Sequence, residues 1–192
     1  MCKLYTLTME AKTALIIVDL NNDFLPGGAL GVTGGDEILP RVNQLARSED
    51  YALVVATQDW HQQAHVSFAT WPAHCVAGTL GAELHAGLDL ANVHAVIRKG
   101  FDVDVDSYSG FYNENGASNG LAELLQTRGI DQVDIVGIAT DYCVKATAID
   151  AVEGAGLKTR VLLDACRGVE VNPGDVANAI NEMQTAGVEI IA

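Results

Sequence analysis

Six polar residues, far apart in the chain, are of types that do chemistry: the thiol Cys143, the amine Lys99, the carboxylates Asp19 and Asp59, and the imidazoles His61 and His74. Cys143 follows an apolar run (Val133, Ile135, Val136, Ile138) and a small-residue turn. It precedes a helical pattern of Val144, Ala146, Thr147, Ala148 and Ile149. A cysteine between a buried strand and a helix exposes its sulfur at a sheet edge, where backbone N–H groups and the helix dipole lower a thiol pKa and hold an oxyanion. Taken alone, Cys143 also reads as a core cysteine. Asp19 lies in an otherwise apolar run, where a carboxylate is costly unless paired, although it could simply cap a turn. Lys99 ends another apolar run and alone reads as a surface lysine. Together the three make a Cys–Lys–Asp unit, with the ammonium beside the sulfur and the carboxylate moving protons.

Asp59 and His61 stand two residues apart, so in extended backbone their side chains point the same way. His74 can supply a third donor if the loop between them folds back, and His65 is a candidate fourth. One carboxylate and two imidazoles suit a divalent ion: zinc first, with iron(II) or manganese(II) as alternatives. Three of the chain's five histidines fall within this short stretch, which a chance surface loop would not favour. His85 and His94 have no such company and read as structural, and so do Cys75 and Cys166. Cys2 sits near the N-terminus.

Positioning such groups requires a scaffold. Strands are predicted at Ala14–Leu20, Tyr51–Thr57, His94–Arg98, Val133–Ile138, Lys158–Leu163 and Val188–Ile191. Helices are predicted at Asp36–Arg47, Gly120–Thr127, after Cys143, and at Pro173–Ala186, where Pro opens the helix and Gly187 stops it. Nearly all-apolar strands alternating with helices imply a mostly parallel six-stranded sheet covered on both faces, a three-layer α/β/α sandwich. In such folds ligands sit beyond the carboxyl ends of the strands, and there Asp19, Asp59, Lys99 and Cys143 all fall. The segments Asn21–Gly35 and Gln58–Leu90 are too long for plain connectors and read as functional loops.

The 192 residues suit one domain spanning 1–192. A formal charge of −14 repels nucleic acid and anionic membranes and excludes neither a small-molecule substrate nor a homo-oligomer. No apolar run is long enough to span a bilayer, and Met1–Lys12 lacks the apolar core of a secretory signal. Four dispersed cysteines without a close pair argue for reduced thiols in a cytoplasm.

Eight segments carry a resemblance: VDLNNDF (Val18–Phe24), TQDWH and HVSF (Thr57–His61, His65–Phe68), WPAHCV (Trp71–Val76), KG (Lys99–Gly100), DSYSGF (Asp106–Phe111), GIATDYCV (Gly137–Val144) and DACRGV (Asp164–Val169). In this order they resemble the nicotinamidases among the isochorismatase-like cysteine hydrolases. Asn22 departs from the family's more usual glutamine but keeps an amide. The resemblance implies a catalytic triad of Asp19, Lys99 and Cys143, with Asp59, His61 and His74 holding a metal that His65 also binds in some members. It implies a cis peptide at Ile138–Ala139, an oxyanion hole from the N–H groups of Ala139 and Cys143, and pocket walls from Phe24, Trp71 and Tyr108. The implied reaction converts nicotinamide and water to nicotinate and ammonia through a thioester, in NAD salvage. An amidase of the same family acting on a carbamoyl or ureido substrate is the alternative, although such members usually lack the Asp-x-His plus His set. Isochorismatases lack the nucleophilic cysteine, and a flavodoxin-like binding protein would need a Gly-rich phosphate turn after the first strand. A catalytically dead relative would not be expected to keep all six polar residues.

Overall fold

A computed structural model of the chain describes residues 11–192. Cys2 and most of the Met1–Lys12 segment lie outside the described residues. The architecture is one six-stranded sheet with strands β1 (Thr13–Val18), β2 (Leu53–Asp59), β3 (Ala95–Lys99), β4 (Gln132–Ile138), β5 (Lys158–Arg167) and β6 (Glu189–Ile191) in the order β3-β2-β1-β4-β5-β6. Every pairing is parallel, so the expectation of a mostly parallel sheet is met in full.

The all-apolar strands follow from burial on both sides. In β1, Leu15 and Ile17 face one core and Ala14, Ile16 and Val18 the other, as period-two geometry requires. Helix α1 (Leu39–Ala46) covers the first face with Val42 and Leu45, joined by Phe24, Leu25, Val32 and Leu88 from the long irregular segments. Helices α2 (Leu121–Thr127), α3 (Lys145–Glu153) and α4 (Asp175–Thr185) cover the second through Leu121, Leu125, Ala148, Ala151 and Met183. Each of the larger apolar side chains among them contributes about 1.5–3 kcal/mol by leaving water. None of the helices among the described residues is long and apolar enough to cross a membrane.

Most strand and helix ends shift by one or two residues from expectation, and three boundary differences have an identifiable local cause. The helix expected from Asp36 begins as a 3₁₀ turn, Gly35–Ile38, and becomes α-helical only at Leu39, because Pro40 is tolerated in the first turn alone. Strand β5 runs on to Arg167, past the expected Leu163; its register against β4 shifts between Ile135 and Gly137, and this irregularity puts Cys166 inside the strand. The helix after Cys143 starts at Lys145, so the cysteine lies in a preceding π-helical turn, Thr140–Val144.

Strand order reverses direction between β1 and β4, which both leave the sheet at the same edge. A doubly wound sheet opens a crevice at that switch point. Gly137, the β4 partner of Val18, has φ +118°, and a Cβ there would stand 2.2 Å from the Val18 carbonyl oxygen. Only glycine allows the two strand ends to come this close.

Candidate active site

Asp19 follows β1 directly with φ 48°, a left-handed backbone that costs an aspartate on the order of 1–3 kcal/mol and that cores retain mainly where function requires it. Its amide N–H donates to Thr57 Oγ1 at 3.2 Å, and the Thr57 hydroxyl donates back to Oδ1 at 2.6 Å. Lys99 ends β3 and reaches across β2 into the crevice, where its side chain is fully buried. Its ammonium lies 2.9 Å from Asp19 Oδ2, contacts Asp59 Oδ1, donates to the Ser107 carbonyl at 2.8 Å, and stands 3.6 Å from Cys143 Sγ. The three expected groups are therefore together. Asp19 Oδ2 is a charge contact of Lys99 without an aligned hydrogen bond, which leaves that oxygen available to a proton.

One ammonium serves two buried carboxylates, and this drives them apart. Burial raises Asp19, with the Asp59 charge adding to the rise, and together they outweigh Lys99. At Asp59 burial pulls the same way, but Lys99 and His61 win and hold it below the usual carboxylate range. Lys99 itself is held well above its ordinary value, since the two carboxylates overcome the cost of burial. The expectation of a thiol lowered by its position at a helix end is not met. Burial pushes Cys143 well above its ordinary range, the Lys99 charge only partly offsets this, and Asp19 and Asp59 add to the rise. The physical reason is that the ammonium is already committed to two carboxylates and a carbonyl. Cys143 rests as a neutral thiol that needs a base, and Asp19 is the neighbouring carboxylate with an oxygen free to serve.

Asp59, His61 and His74 also converge, with one donor atom from each lying within 4.8 Å of the others. His61 Nδ1 bonds the Gly100 carbonyl at 2.9 Å and His74 Nδ1 bonds that of Pro72 at 2.7 Å. Each Nδ1 therefore carries the proton and each imidazole presents Nε2, the tautomer a metal takes. His61 Nε2 stands 3.4 Å from Asp59 Oδ2. This donor set fits a divalent ion. Gly100 has φ +65°, and a Cβ there would fall 2.4 Å from the His61 ring, so the glycine of the Lys-Gly pair seats that imidazole.

His65 does not point at this trio. It stacks on His61 with ring centroids 4.1 Å apart, its Nδ1 accepts from the Ser67 amide at 3.2 Å, and its Nε2 makes a long 3.3 Å contact to the Val105 carbonyl. His85 and His94 accept from the backbone amides of Gly87 and Val54, consistent with structural roles. Cys75, Cys143 and Cys166 are free and buried; burial raises Cys166 to about 12.

Phe24, Trp71 and Tyr108 line one cavity together with Asp59, His74, Ala139 and Cys143. The Trp71 indole N–H donates to the Tyr108 hydroxyl at 3.1 Å, fixing two walls against each other. The Ile138–Ala139 peptide is cis, as the resemblance implies.

Sequence reasoning missed several supporting residues. Tyr142 lines the same cavity, edge-on to Trp71 at 5.2 Å. Asn21 is buried and clamps the backbone of Asp59 from both sides, donating to its carbonyl at 3.0 Å and accepting its amide at 3.3 Å. Asp23 accepts the Cys75 amide at 2.8 Å and so holds the left-handed turn next to His74. Asp141 accepts the amides of Val169 and Glu170, tying the π-helical turn to the end of β5. The signal for Asn21 and Asp23 was present: four polar residues packed into VDLNNDF exceed what one turn cap needs.

Residues 13–192 match the isochorismatase domain model. A nicotinamidase of Acinetobacter baylyi is 46% identical over 200 residues, covering 93% of this chain and 92% of the relative. Among solved structures, a nicotinamidase–pyrazinamidase of Acinetobacter baumanii superposes with a TM-score of 0.89 at 43% identity, covering 94% of this chain and 95% of the other. A pyrazinamidase of Pyrococcus horikoshii, in complex with zinc, superposes at 0.84 with 43% identity, covering 94% and 98%. The chain belongs to the isochorismatase family.

Proposed function

We infer that this enzyme hydrolyses nicotinamide to nicotinate and ammonia through a cysteine thioester, with Asp19, Lys99 and Cys143 as its triad. The observation that carries the reading is the thiol standing beside a carboxylate of raised basicity at the floor of an aromatic cavity. The pyridine ring would lie among Phe24, Trp71 and Tyr108, with Tyr142 as a further wall. The Cys143 sulfur attacks the carboxamide carbon while its proton passes to Asp19. The N–H groups of Ala139 and Cys143 receive the oxyanion; one such donor contributes about 3–4 kcal/mol in other enzymes. Collapse breaks the C–N bond, and Asp19 returns the proton to the departing ammonia. Asp19 then takes a proton from water, whose oxygen attacks the thioester, releasing nicotinate and restoring the thiol. Lys99 keeps both carboxylates in place and compensates negative charge near the sulfur.

Asp59, His61 and His74 would hold one divalent ion, with zinc first and iron(II) or manganese(II) as alternatives. Its contribution when bound is a Lewis-acid seat for the ring nitrogen, which orients the carboxamide toward Cys143. The buried free thiols support a reducing compartment, the cytoplasm, where the reaction would return nicotinamide to NAD synthesis. The test is ammonia release from nicotinamide with and without chelator. Chelator-sensitive release is expected; release from a carbamoyl compound but not from nicotinamide would transfer the assignment to the alternative amidase.

A further inference from the structure

Asp106 stands on the cavity wall, half-buried, without a salt-bridge partner among the described residues. Its Oδ1 accepts the Ser107 amide at 2.8 Å, which leaves Oδ2 uncommitted. One donor atom from each of His61, His65 and Asp106 lies within 4.8 Å of the others, the span of groups that serve one cation. His61 belongs both to this set and to Asp59, His61 and His74, so the two sets flank a single imidazole.

Charge supplies an independent reason for a second carboxylate. Asp59, the carboxylate of the first set, is already in contact with Lys99. A divalent cation and one ammonium against Asp19 and Asp59 leave one positive charge in a region where all of these side chains are buried. Uncompensated charge in such a place is costly. Asp106 carries the missing negative charge and adjoins Ser107, whose carbonyl holds Lys99.

We propose that Asp106 is the second carboxylate of the metal centre, acting beside His61 and His65 from a different loop than Asp59 and His74. The inference rests on the metal-binding reading above and goes beyond a fourth histidine ligand, because it makes a carboxylate from a different loop part of the centre. Outer partners of this kind typically account for 10–100-fold in metal affinity.

The experiment titrates apo protein with Zn²⁺ against a chromophoric chelator and records the visible spectrum of the cobalt-loaded form. It compares wild type, Asp106→Asn and Asp104→Asn; the last makes the same charge change at an exposed neighbour. Expected are a loss of affinity of about tenfold or more in Asp106→Asn, an altered cobalt spectrum in that variant, and wild-type behaviour in Asp104→Asn. Unchanged affinity in Asp106→Asn overturns the assignment. So does a loss shared equally by Asp104→Asn, or a loss with an unchanged cobalt spectrum, since either would reduce Asp106 to a general field or a fold effect. If Asp106→Asn does not fold, Asp106→Ser carries the same comparison. Wild-type protein that takes up no ion sinks the metal centre as a whole, whereas uptake abolished by His61→Ala and untouched by Asp106→Asn sinks the Asp106 role alone.

Discussion

Two buried carboxylates lie at opposite ends of the central strands, Asp134 near the start of β4 and Asp19 just past the end of β1, and they are satisfied differently. Asp134 on β4 accepts Arg160 Nε at 2.7 Å on one oxygen, and Arg160 Nη2 at 2.6 Å and the Tyr51 hydroxyl at 2.8 Å on the other. Its cation is 37% exposed, so water shares the cost of the charge. Asp19 after β1 has a fully buried cation that it must share with Asp59, and its Oδ2 accepts no aligned hydrogen bond. A carboxylate gripped by a bidentate guanidinium and a hydroxyl is held in one geometry. One that competes for a single ammonium beside a thiol is poised to change state. The first arrangement ties β4, β5 and the segment before β2 together at the amino end of the sheet, and the second is suited to proton traffic at the carboxyl end.

The comparison predicts different failures at the two ends. The largest effect is expected from Cys143→Ala, which removes the proposed nucleophile. Turnover should fall by about 10⁴-fold or more, as when triad members are removed elsewhere, while metal content stays at the wild-type level. Full activity in that variant would rule out covalent catalysis.

Lys99→Met and Arg160→Met form the next test. Lys99→Met leaves two buried carboxylates uncompensated, so it should cost about 3–5 kcal/mol of stability and most of the turnover. Arg160→Met leaves Asp134 with Tyr51 and access to water, so about 2 kcal/mol is expected, with turnover within about twofold of wild type. Chemical denaturation and steady-state assays on both variants measure this directly. A large loss of turnover in Arg160→Met would erase the distinction between the two ends.

The pH profile sharpens it further. Asp19 must be ionised to accept the thiol proton, and its pKa is raised, chiefly by burial. As pH falls through that raised value the carboxyl gains a proton and activity is lost. The acid limb of kcat/KM should therefore lie above the ordinary aspartate value of 3.8. An acid limb at or below 3.8 would remove Asp19 from the base role.

Much of this was legible in the sequence because each signal had one physical cause. All-apolar strands announced a sheet buried on both sides, and the polar residues ending them announced the rim. The Asp19, Lys99 and Cys143 convergence followed from topology alone, since parallel strands deliver all their carboxyl ends to one edge. What stayed hidden depended on burial and on competition between neighbours. The raised thiol could not be read from a cysteine before a helix, because the Lys99 ammonium that should lower it is committed to other partners. The clamp of Asn21 on Asp59 spans 38 residues and exists only once β1 and β2 pair. The extension of β5 through Cys166 depends on a register shift that leaves no periodic trace.

The smallest effect tests how complete the Asp134 cluster is. Tyr51→Phe removes one of three hydrogen bonds to Asp134 and leaves the bidentate Arg160 contact intact. Burial, followed by the Asp134 contact, raises the Tyr51 hydroxyl, so it stays protonated and donating throughout the neutral range. Losing it should cost about 1 kcal/mol, the net value of one hydrogen bond, with kcat and KM unchanged. A loss several times larger would mean that Arg160 alone cannot hold Asp134 in the sheet. That end of the molecule would then depend, as Asp19 does, on a network in which no partner is spare.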